Sequence, residues 1–110
     1  MLIDVCAAED IPADSAREFS LNQGEQTLDG FIVHHGGHYY AYKNSCPHTG
    51  ASLNWQPHGF LDLEQRHIQC GIHAALFNIH DGLCIWGPCQ GRRLSALSLQ
   101  QRDGRLLIEL

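Results

Sequence analysis

The chain has 110 residues, 44% of them hydrophobic and 17% charged, which suits one compact domain and leaves no room for a second. Seven Lys and Arg against twelve Asp and Glu give a formal charge of -5, which argues against a basic nucleic-acid footprint or a polybasic membrane patch. No early stretch joins a basic region to an apolar run, and no window approaches the roughly 20 apolar residues of a membrane span, so the expected setting is the reducing cytoplasm.

Turn residues punctuate the chain, and between them lie short runs suited to strands: Leu2–Cys6, Arg17–Leu21, Gly30–His35, His38–Lys43, His67–Cys70, Ala75–Ile79 and Leu106–Leu110. A short helical turn is expected near Ile11–Arg17, with Pro12 early and Asp10 as its cap. Gly36-Gly37 reads as a hairpin turn into His38–Lys43, and Asp103-Gly104 as another, between Leu97–Gln101 and Leu106–Leu110. The segment Asn54 to Arg66, with Trp55, Pro57, His58, Gly59 and Phe60 among polar residues, reads as an irregular excursion rather than a core strand. The expected fold class is all-β. Acidity is concentrated early: residues 1–45 hold seven acids against Arg17 and Lys43, whereas residues 46–110 hold five acids and five arginines.

Five Cys and eight His are dense for this length. An odd cysteine count without an export signal favours metal ligation over a disulfide framework. Cys46-Pro47-His48 and Cys70-Gly71-Ile72-His73 each place one thiol and one imidazole in a tight turn. Two Cys and two His from two turns suit either a mononuclear zinc or a [2Fe-2S] cluster in which His replaces Cys on one iron. Zinc modules pair Cys with Cys and His with His at short spacing, a pattern that these two turns, each with one Cys and one His, do not follow. A cluster with both Cys on one iron and both His on the other needs one of each from each loop, and the observed order supplies that.

Cys46-Pro47-His48-Thr49-Gly50-Ala51-Ser52-Leu53 resembles the first box of Rieske ferredoxins, C-P-H-x-G-x-x-L, and Cys70-Gly71-Ile72-His73-Ala74-Ala75-Leu76-Phe77 resembles the second. Asp81-Gly82 stands at a turn of that family, and Gly87-Pro88 resembles the loop covering the cluster's third side. Two features depart from the pattern: Ala74 replaces a usual Gly, and the 21 residues between His48 and Cys70 make a long gap. The resemblance implies an antiparallel β-sandwich or partly open barrel spanning 1–110, with a two-loop cluster-binding subdomain at about 44–90. It implies Cys46, His48, Cys70 and His73 as ligands of one Rieske [2Fe-2S] cluster, with the His at the exposed tip where electrons leave.

High-potential members of the family carry a Ser and a Tyr where this chain has Ala75 and Phe77, and two bridging Cys where it has Ala51 and Ile72. Missing hydroxyl donors leave the reduced cluster less stabilised, so the potential is expected at the low end of roughly -150 to +300 mV. The resemblance thus implies a one-electron carrier, an electron-transfer component without its own catalytic site. Its partners would be a ferredoxin reductase and a terminal oxygenase, with no nucleic acid or membrane, and a free carrier would be a monomer. The alternatives are a small Rieske subunit of an assimilatory nitrite reductase and, of another class, a zinc-stabilised binding module. Cys6, Cys84 and Cys89 read as buried apolar thiols. His34 and His35 read as solvated hairpin residues, His58 and His67 as candidates for the cluster rim, Arg92-Arg93 as a solvated turn or docking site, and Trp86 as a core or exposed aromatic.

Overall fold

A computed structural model describes residues 2–47, 52–54, 59–62, 66–70, 75–87 and 90–109. The elements run β1 (Leu2–Ala7), a 3-10 turn (Ala8–Asp10), β2 (Ser15–Gln23), β3 (Gln26–His35), β4 (His38–Lys43), β5 (His67–Gln69), β6 (Leu76–Asn78), β7 (Cys84–Trp86), β8 (Ser98–Arg102) and β9 (Arg105–Glu109). They form three antiparallel three-stranded sheets, ordered β1-β9-β8, β2-β3-β4 and β5-β6-β7, and do not close into a barrel.

The expected hairpins form as the turn residues dictate. Gly36 and Gly37 both take positive φ, 61° and 81°, the combination a two-residue type I′ turn demands, and His35 pairs with His38 across it. Asp103 and Gly104 do the same between β8 and β9. Strand pairing overrides the helical expectation for Ile11–Arg17. Asp14 adopts φ 59° and its N–H donates to the His34 carbonyl at 2.8 Å, and this bond starts the β2–β3 ladder at Ser15. The only helical turn among the described residues lies earlier, at Ala8–Asp10, where Asp10 accepts the Ala7 N–H at 3.2 Å. Sequence reading also passed over β7, whose three residues have no alternating pattern to reveal them.

The middle sheet buries both its faces. Strand alternation sends Phe31 and Val33 of β3 and Tyr42 of β4 to one side, where they pack with Leu53, Phe60, Ile68 and Phe77. Ile32 and Ala41 turn to the other side and pack with Cys6, Leu106 and Ile108 of the β1-β9-β8 sheet. Two cores therefore share one sheet. Edge strands β4 and the lead into β8 also meet, through Lys43 N–H to Ser95 O and Leu97 N–H to Ala41 O, both 2.9 Å.

The excursion between Asn54 and Arg66 does carry one core side chain. Phe60 is fully buried and stacks on Phe31 with ring centroids 4.3 Å apart. Its carbonyl accepts the Gln69 N–H at 2.8 Å, so residues 59–62 run alongside β5 with a single bridge between Leu61 and Ile68. Among the described residues no helix is long and apolar enough to cross a membrane.

Candidate metal centre

Cys46 and Cys70 lie on different loops, one following β4 and one following β5, yet share one buried cluster on the same face of the middle sheet. Their exposures are 2% and 0%. Leu53, Phe60, Ile68, Ala75 and Phe77 surround them in that cluster, so the two thiols are held in an apolar, water-poor setting. A thiol buried in such a place becomes a thiolate only where a metal or other cation neutralises it. That donor chemistry fits an iron-sulfur group anchored by these two sulfurs. His48 and His73 lie outside the described residues, and no three His, Cys, Asp or Glu side chains converge among the residues that are described.

Each ligand loop is closed by hydrogen bonds at its base. In the second, the Cys70 N–H donates to the Ala75 carbonyl at 2.9 Å, joining the residues on either side of positions 71–74. In the first, the Leu53 N–H donates to Asn44 Oδ1 at 2.7 Å, and the Arg92 guanidinium reaches across from the third loop to the Pro47 carbonyl at 3.0 Å. Arg92, expected as a solvated turn residue or docking site, thus ties the third loop to the first. Asn44 escaped the sequence reading, although a short amide two residues before a turn-borne Cys is a recognisable signal for side-chain capping of a loop.

Gly87 brings the third loop against the second. Its φ is 109°, and a Cβ there would stand 2.9 Å from both the Cα and Cβ of Ala75, so only glycine permits this approach. The neighbouring Ile85 and Trp86 are exposed, Trp86 at 58%, which settles its position on the surface rather than in the core. Pro88 and Cys89 lie outside the described residues. Cys84 is buried in the same cluster as Cys46 and Cys70, and its thiol donates to the Trp86 carbonyl at 3.3 Å. Cys6 sits in the other core, where burial pushes its thiol pKa up.

Of the remaining histidines, His67 stands 3.4 Å from Asp62, whose carboxylate also accepts the N–H groups of Arg66 and His67. Burial alone would raise the Asp62 pKa, but these bonds outweigh it and hold the group below the usual carboxylate range. His34 is half-buried rather than solvated: its Nδ1 lies 2.8 Å from the Ile11 carbonyl and its ring stacks on Tyr39. Trp55 and His58 lie outside the described residues. Open grooves of about 360 and 250 Å³ run along β4 and β8, lined by Tyr39, Tyr40 and Leu99, and neither includes Cys46 or Cys70.

Comparison with known proteins agrees with this geometry. The family model described as the Rieske [2Fe-2S] domain matches residues 1–102. The chain is 27% identical to the 3-phenylpropionate/cinnamic acid dioxygenase ferredoxin subunit of Photorhabdus laumondii, over 94% of this chain and 90% of that protein. It is 31% identical to the ferredoxin component of the alkene monooxygenase system of Xanthobacter autotrophicus, over 96% of this chain and 79% of that one. The solved complex of reduced oxygenase and oxidized ferredoxin in carbazole 1,9a-dioxygenase contains a similar chain, with a TM-score of 0.76 and 25% identity, covering 97% of this chain and 91% of that one.

Proposed function

The chain belongs to the Rieske [2Fe-2S] domain family, and from that premise we propose that it is a one-electron carrier, a ferredoxin component taking electrons from a reductase to a terminal oxygenase. The cluster supplies a single reversible electron when bound. Cys46 and Cys70 would hold one iron of the cluster, and His48 and His73 the other. What carries this reading is the pair of fully buried thiols presented from two separate loops to one apolar cluster. Its support from kinship is the likeness over nearly the whole chain to ferredoxin components of a dioxygenase and a monooxygenase.

In this proposal residues 1–110 are one domain with its metal-binding part at about 44–90, and the carrier works as a cytoplasmic monomer. The protein's residues set the properties of the centre. Leu53, Phe60 and Phe77 exclude water from the thiol side, and Ala75 and Phe77, both fully buried, offer no hydroxyl to stabilise the reduced state. The potential accordingly falls toward the low end of the Rieske range, roughly -150 mV.

A reduced-state electron paramagnetic resonance spectrum joined to a redox titration of the purified protein tests ligation and potential together. The expected result is a Rieske-type signal that titrates as one electron at low potential. A colourless protein holding one zinc and no inorganic sulfide overturns the cluster, and stable co-purification with a sirohaem subunit overturns the free carrier.

A further inference from the structure

The first ligand loop leaves β4 at Lys43 and returns to the core at Leu53, a fully buried residue. Between these points it carries Cys46 and His48, and the chain has Ala51 and Ile72 where relatives of high potential join their loops covalently. Something else has to hold this loop. We propose that Asn44 is the positioning residue of the first ligand loop, acting through a polar relay from Leu53 to Glu18 whose direction fixes the loop in its metal-binding shape. This rests on the ligand roles of Cys46 and His48 assigned above.

The relay has one consistent polarity. The Leu53 N–H can only donate, so the Asn44 atom 2.7 Å away is Oδ1. Asn44 Nδ2 then faces Asn54 Oδ1 at 3.0 Å and donates to it. The amide of Asn54 is thereby oriented with Nδ2 toward Glu18 Oε2, 2.9 Å away on β2, a carboxylate that accepts. The Asn44 backbone N–H is itself fixed to the Asp29 carbonyl of β3 at 2.9 Å. Both ends of the ligand loop are thus referred to the middle sheet through one half-buried side chain. These three side-chain hydrogen bonds run in one sense.

Reversing that sense gives a test that a merely space-filling Asn44 would not respond to. Asn44→Asp keeps the shape and still accepts from Leu53, but has no N–H for Asn54. Asn54 must then either meet the new carboxylate oxygen to oxygen, or flip and point its oxygen at Glu18. Adding Glu18→Gln supplies a donor at the far end, so the double variant Asn44→Asp/Glu18→Gln accommodates the flipped relay. The double variant also restores the net charge of the wild type, so Asn44→Asp/Glu25→Gln, which restores it at an exposed turn away from the relay, is the control for charge and should keep the Asn44→Asp defect.

The experiment follows bleaching of the visible cluster absorbance in holoprotein exposed to an iron chelator, with reduced-state paramagnetic resonance spectra of each variant. Asn44→Asp is expected to bleach about tenfold faster with a broadened spectrum, as befits replacing a half-buried hydrogen bond by opposed acceptors. Glu18→Gln alone keeps an amide oxygen for Asn54 Nδ2 and is the reference, and the double variant should recover its rate and spectrum. Asn44→Asp bleaching at the wild-type rate overturns the proposal. So does a double variant that is no better than Asn44→Asp, including the case in which neither assembles a cluster. If the wild type itself is purified without iron and sulfide, the carrier reading fails as well. If the wild type holds its cluster and only the rescue is absent, this inference alone fails.

Discussion

Strands β2, β3 and β4 run nine, ten and six residues, whereas β5, β6 and β7 run three each. The first group is held by long ladders and tight turns, and the second by packing on the face of the first and by hydrogen bonds that close its loops. The two candidate thiols lie where the groups meet: Cys46 follows β4, the last strand of the first, and Cys70 follows β5, the first strand of the second. A rigid sheet positions the site, and short strands leave enough chain free to wrap a cofactor.

The comparison can be broken most sharply at the thiols. Cys70→Ala should abolish visible absorbance and bound iron while the far-UV circular dichroism of the long-stranded sheets persists; retention of a native cluster removes Cys70 from the ligand set. The next test contrasts the two faces of β3. Phe31→Ala and Ile32→Ala should each cost about 2–5 kcal/mol in denaturant unfolding, but only Phe31→Ala, which removes the ring stacked on Phe60, should also accelerate cluster loss. Equal acceleration by both would show that the two cores are not independent.

Tyr42 sharpens the same boundary through pH. Burial, first, and the nearby Asp81 push its pKa up to about 12, and its hydroxyl donates to the Ile79 carbonyl at 2.5 Å. Because the folded pKa lies above the ordinary value near 10, this contribution is complete below pH 10 and is lost as pH rises toward 12, by roughly 1.4 kcal/mol per unit. Stability measured from pH 9 to 12 should fall along that slope, and Tyr42→Phe should flatten it. Gly87→Ala forces a Cβ against Ala75 and strains a positive φ, so about 1–3 kcal/mol of local destabilisation is expected. It should surface as faster chelator bleaching with the melting of the long-stranded sheets little changed. The smallest effect belongs to Cys84→Ser, which should keep the cluster and its potential at a cost of about 1 kcal/mol, since a hydroxyl can still donate to Trp86. Loss of the cluster in that variant would add Cys84 to the metal-binding set.

Much of the scaffold was legible because its signals are local. Gly36-Gly37 and Asp103-Gly104 encode hairpins in the residues themselves, and His38–Lys43 is the second arm that the first of these turns leads into. The helix expected at Ile11–Arg17 failed for a non-local reason: Asp14 bonds to His34, which is close in space and distant in sequence. The same holds for Phe60, whose polar surroundings in the chain hide a partner on β3. Arg92 is exposed, as a solvated turn residue would be, but its bond to the Pro47 carbonyl joins positions 45 apart and has no signal in the chain.

The sequence by itself determined the family, the all-β class and the order Cys-His, Cys-His, since spacing within a turn is a covalent property of the chain. It also determined the absence of hydroxyls at positions 75 and 77. Only the tertiary structure decided that Cys46 and Cys70 share one buried cluster, that β3 serves two cores, and that Asn44, Arg92 and Gly87 bind three loops together. Those relations join residues distant in the chain, 45 positions apart at Arg92 and Pro47 and more in the core shared by Ile32 and Ile108, and such pairings exist only once the sheets have brought them within hydrogen-bond or van der Waals reach.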